Sequence, residues 1–111
     1  MIPQELIEVR AMHSKAIQTA QDCSNELAEA EYEYDTAYAS AIAVLRNEGV
    51  PMSIITHLAK GTPEVAGKMR DVAIKTGVLK AAQARVQATY LDWKLAAEQY
   101  EREWRQLGVS L

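Results

Sequence analysis

The chain has 111 residues, a formal charge of -3 (12 Lys plus Arg against 15 Asp plus Glu) and one Cys. That length holds one domain or one elongated assembly unit and excludes a two-domain enzyme, while the charge excludes a general polycation for nucleic acid or anionic membrane. With 5 Gly and 3 Pro the chain has few breakers, as a helix-rich protein does.

At the start, Glu5 and Glu8 fall where a secretory signal needs cations, and the longest apolar run anywhere is Ala41 to Leu45. No signal peptide and no membrane span are therefore expected. A single Cys makes no intrachain disulfide, so a cytoplasmic location is the expectation.

Pro3 suits a first helical turn, and nothing breaks the chain before Gly49, so the first helix is expected over about 3–48. Along it Ile2, Leu6, Val9, His13, Ala16, Ala20, Cys23, Leu27, Ala30, Tyr34, Ala37 and Ala41 are spaced alternately by four and three residues. This 3.5-residue repeat marks a coiled-coil seam.

Gly49, Pro51, Gly61 and Pro63 crowd the middle of the chain. Between them Ser53 is expected to cap a short helix over about 54–60, closed by Gly61. Thr62 then offers an N-cap oxygen, Pro63 suits the first helical position and Glu64 complements the positive helix end, so a second long helix is expected over about 63–107. Its repeat reads Val65, Met69, Val72, Thr76, Leu79, Gln83, Val86, Tyr90, Trp93, Ala97, Tyr100, Trp104 and Leu107. The expected fold is all-α: a long antiparallel helical hairpin of coiled-coil type, one domain over residues 1–111, with a short helix in the connection and assembly into a bundle. Thr76 and Gln83 with Gly77 make the middle of this seam its weakest part.

Pairing small with large residues sets Ala20 opposite Trp93, Cys23 opposite Tyr90 and Leu27 opposite Val86. The same alignment brings Glu31 to Lys80 and Arg10 to Glu101, whereas a one-heptad slip brings Arg10 toward Lys94. The flank charges favour the first alignment.

Outside the seam, Ile74, Ala81, Ala84, Ala88, Leu91 and Leu95 form a second apolar stripe on the far side of the second arm, with Ile17, Tyr38 and Ile42 as counterparts on the first. Two helices bury too little to hide such a stripe. The expected cover is another copy of the chain, giving a homo-oligomeric bundle, or else a different protein partner.

Charge is uneven: residues 1–45 hold eight acids and two bases, and residues 46–94 hold eight bases and four acids. Asp22, Glu26, Glu29 and Glu33 line one flank of the first arm, and Lys68, Lys75, Lys80 and Lys94 flank the other seam, so attraction between arms is expected. Arg46, Lys60, Lys68, Arg70 and Lys75 leave a basic surface near the turn that offers contacts to nucleic acid. A recognition helix of forty-odd residues does not fit a helix-turn-helix, and the aromatics are committed to the seam, so this stands second to protein association.

Catalysis requires a nucleophile with its base, a ligand cluster or paired carboxylates in a cleft. Cys23 and His13 fall in the seam, where His13 is expected to hydrogen-bond Tyr100 or set the register, and His57 sits in the turn without a second His or Cys nearby. No Glu-x-x-His repeat, Cys pair or Gly-rich phosphate loop occurs. No enzyme, cofactor or metal site is expected.

The turn Gly49-Val50-Pro51-Met52-Ser53-Ile54-Ile55-Thr56-His57-Leu58-Ala59-Lys60-Gly61, followed by an Ala-rich helix with Tyr90 and the closing Glu101, Arg102, Glu103 and Trp104, resembles small helical-hairpin proteins encoded by phages and prophages. The resemblance covers about residues 30–105 and implies a phage-associated origin alongside replication or recombination proteins. It transfers no functional residue. Secreted helical-hairpin effectors carry a Trp-x-Gly turn where this chain has Asn47, Glu48 and Gly49, which argues against that group. The sequence thus points to a self-associating interaction or scaffold protein, with a nucleic-acid accessory protein of phage replication or recombination as the alternative.

Overall fold

The computed structural model describes residues 3–108. Among them the chain is all-α, with three helices: α1 (Gln4–Asn47), α2 (Met52–Lys60) and α3 (Pro63–Gln106). The long helices form because α1 contains neither Gly nor Pro and α3 contains Pro only at its first position, where a missing N–H costs nothing. Antiparallel pairing of α1 with α3 makes the helical hairpin that the two repeats predict. The chain divides into two compact units, one joining the chain up to Asp22 with the chain from Lys80 onward, the other comprising Cys23–Leu79.

In the second unit α1 ends on a Schellman turn. Gly49 takes φ +80, its N–H donates to the Arg46 carbonyl at 3.0 Å, and the Val50 N–H donates to the Leu45 carbonyl at 3.1 Å. Only glycine occupies that left-handed position without steric cost. The short helix then begins earlier than Ser53 predicts. Pro51 adopts φ -58 and ψ 139 and its carbonyl accepts from the Ile54 N–H at 3.2 Å, so the helix starts at Met52 with no side-chain cap. Thr62 precedes α3 as expected, and its carbonyl accepts the Ala66 N–H at 2.9 Å. Its hydroxyl, however, donates backward to the Ala59 carbonyl at 2.8 Å, tying α2's end to α3's start.

Every described seam position read from α1, Leu6 through Ala41, is buried or half-buried, while Ile2 lies outside the described residues. On α3 nine of the thirteen expected positions, Val65, Val72, Thr76, Leu79, Val86, Trp93, Ala97, Tyr100 and Trp104, are buried or half-buried, while Met69, Gln83, Tyr90 and Leu107 are exposed. Lys68, Lys75, Ala82, Thr89 and Ala96, each three residues after a seam position, turn inward as well. Both columns lie within one helical step of the seam and both mix polar with small residues, so composition does not separate them.

The alignment of the arms also differs from the one favoured by the charges. His13 meets Thr89 rather than Tyr100, about three helical turns away, and Lys68 and Lys75 meet Glu33 and Glu26. Glu101 pairs with Arg105 on its own helix instead of with Arg10. The connection explains the shift. With Lys68 beside Glu33, α1 runs past the start of α3 by roughly 13 Å at 1.5 Å per residue, which is the length of the nine-residue α2.

The second unit consequently has three helices to pack, and it buries Cys23, Ala30, Ala37, Ile55, Ala59 and Val65. Among its described residues the first unit has two, and only Ala16 and Thr89 are fully buried there.

Candidate functional site

The outer stripe of α3 is where the sequence places it. Ile74, Ala81, Ala84, Ala88, Leu91 and Leu95 are all exposed, with Leu91 at 48% and Leu95 at 64%. Ile74 belongs to the second unit and the other five to the first. Those five recur on one face because α3 is unbroken there and seven residues make nearly two turns. Leu95 also borders a groove of about 530 Å³ with Val9, Ala96 and Asp92. Of the proposed counterparts on α1, Ile17 is exposed, whereas Tyr38 and Ile42 are half-buried, Tyr38 lying stacked on Tyr34 with ring centroids 6.1 Å apart.

A second apolar surface was not visible in the sequence. Leu6, Ile7, Ala11, Trp93 and Ala97, with Arg10 and Ser14, line a groove of about 380 Å³ between α1 and α3 in the first unit. Trp93 is only half-buried there, because two helices close over a seam from above and below but leave its flank open. The aromatic alternation pointed to Trp93 as a core residue; placing it opposite Ala20 concealed the groove.

The basic surface near the turn is reduced by the fold. Lys68 donates to Glu33 at 3.2 Å and Lys75 to Glu26 at 3.5 Å, so these two cations are matched by carboxylates of α1. Arg46, Lys60 and Arg70 are exposed.

Cys23 is buried, and His57 lies exposed on α2. His13 Nδ1 stands 3.0 Å from Thr89 Oγ1, with the His13 ring tilted against Tyr90 at 5.9 Å. Among the described residues no three His, Cys, Asp or Glu side chains converge in a way that could hold a metal ion, and no helix is long and apolar enough to cross a membrane.

Apolar side chains thus lie exposed in two strips, one on the outside of α3 and one along a flank of the first unit, as well as on α2 at Met52, Ile54 and Leu58. Comparison of the chain with protein-family models, with curated proteins and with solved structures finds no match.

Proposed function

We propose that this chain is a non-enzymatic scaffold or interaction protein that works by self-association, with copies joined through the outer stripe of α3. The observation that carries the reading is the exposure of Leu91 and Leu95 beside Ala84 and Ala88 on a helix face turned away from its own seam. Small residues let a second helix approach closely while the two leucines supply apolar area, at roughly 25 cal/mol per Å² removed from water. Strips of this kind on a small helical protein mark association surfaces. The resemblance of the turn to phage-encoded hairpin proteins suits a small assembly unit of that origin.

A nucleic-acid accessory role has less support, since two of its five cations are neutralised by Glu26 and Glu33. Sedimentation equilibrium of the wild type and of Leu91→Glu/Leu95→Glu tests the proposal. The wild type is expected to sediment as an oligomer and the variant as a smaller species with unchanged helicity. Equal masses for both would remove the outer stripe as the interface.

A further inference from the structure

The open flank of the first unit and an acidic stretch of α1 in the second unit complement each other in charge and size. The first unit's groove has an apolar floor of Leu6, Trp93 and Ala97, and Arg10 lines its edge. Lys94 follows Trp93 and is exposed. Glu101, one heptad beyond Lys94, is held by Arg105 at 2.7 Å, so the flank keeps its positive character.

In the second unit the acids of α1 divide between two sides. Glu26 and Glu33 meet Lys75 and Lys68. Glu31 and Asp35 project from the other side of the helix, roughly 140° to 180° around its axis from those two at about 100° per residue. They are exposed, and no cation among the described residues pairs with them. Beside them on α1 are the small residues Ser24 and Ala28, which permit close helix approach.

The two units also differ in what covers them. The second receives α2 as a third helix and buries six apolar side chains; the first, among its described residues, has no third helix and leaves Trp93 half-exposed.

We propose that a second copy of this chain supplies the missing helix. Its α1, over the stretch from Ser24 to Asp35, lies along the groove of the first unit, with Glu31 and Asp35 meeting Arg10 and Lys94 and with Ser24 and Ala28 closing over the apolar floor. Every copy carries both the basic groove and the acidic stretch, so the exchange is available in both directions, as a two-fold pair requires. This inference rests on the self-association proposed above but uses a different surface, and it adds an orientation: unlike units of two copies come together.

Charge reversal tests it, because all four residues are exposed and helicity can be checked by circular dichroism. Arg10→Glu/Lys94→Glu makes both surfaces acidic, and Glu31→Lys/Asp35→Lys makes both basic. Each protein alone is expected to associate at least about tenfold more weakly than the wild type, since like charges placed across an interface oppose it. Mixed in equal amounts, the two are expected to recover wild-type mass as a hetero-oligomer. Wild-type association by each variant alone, or no recovery on mixing, overturns the inference. If Leu91→Glu/Leu95→Glu dissociates the protein while the charge variants do not, the outer stripe stands and this docking falls. A wild type that sediments as a monomer sinks both.

Discussion

His13 and Thr89 are joined across the helix pair of the first unit, Nδ1 to Oγ1 at 3.0 Å. Thr89 Oγ1 also lies 2.9 Å from the Arg85 carbonyl and 3.1 Å from that of Val86. A hydroxyl has one hydrogen, and here it is directed to the backbone of its own helix, so the oxygen accepts and His13 Nδ1 donates. Thr89 is 4% exposed, the one fully buried polar side chain among the described residues, and it meets His13 across the pair. Thr89→Val is expected to cost about 1–3 kcal/mol by leaving the Nδ1–H without its acceptor. Adding His13→Leu should recover part of that loss. A double-mutant cycle by urea unfolding checks the coupling, and additive losses would show that the bond contributes nothing.

The turn after α1 depends on a left-handed residue. Gly49→Ala is expected to destabilise by about 1–2 kcal/mol, the cost of placing a Cβ at positive φ. Gly77 is the contrasting case. It lies inside α3, and a Cβ built on it meets nothing within 4 Å, so Gly77→Ala should stabilise by about 0.5–1 kcal/mol. Thermal unfolding of the two variants should therefore move in opposite directions.

Trp93 lies half-buried against an open groove. Its replacement by Ala is expected to cost about 2 kcal/mol in the dissociated protein, short of the ~3–5 kcal/mol of an enclosed indole. Under associating conditions the loss should grow, because docking covers the ring. Denaturation at two protein concentrations separates these contributions; equal losses at both would show that association leaves the indole uncovered.

The pairs Lys68–Glu33 and Lys75–Glu26 are exposed enough that each contributes less than about 1 kcal/mol. Lys68→Gln/Lys75→Gln should lower the unfolding midpoint slightly at low salt and hardly at all at 0.5 M NaCl. A large loss that persists at high salt would mean that these chains act through packing of their aliphatic stems instead.

Much of this fold is legible in the residues because α1 carries no competing signal. Its 3.5-residue repeat has one phase, and all its described seam positions turn inward. On α3 two columns compete, and both contribute: Thr76, Ala97 and Trp104 from one and Lys68, Lys75 and Thr89 from the other turn inward, the polar ends of the second disguising side chains that lie partly along the seam. The alignment was hidden for a different reason. Ala16, Ala20, Ala30, Ala37 and Ala41 recur along α1, so many alignments set a large residue against a small one, and the choice falls to the length of α2 and the His13–Thr89 bond. The outer stripe follows from periodicity alone. The groove beside Trp93 depends on that alignment and on the absence of a third helix, neither of which a repeat reports.

The uneven number of helices in the two units has a consequence for how the protein opens. Around Ala37, Ile55, Ala59 and Val65 three helices enclose apolar side chains, so backbone amides there exchange with solvent only when that whole packed unit comes apart. Near Leu6 and Tyr100 two helices share a shallow contact, and their local separation suffices to free the amides. Deuterium uptake should thus run ahead in the two-helix unit, leaving the three-helix unit as the last region to give way.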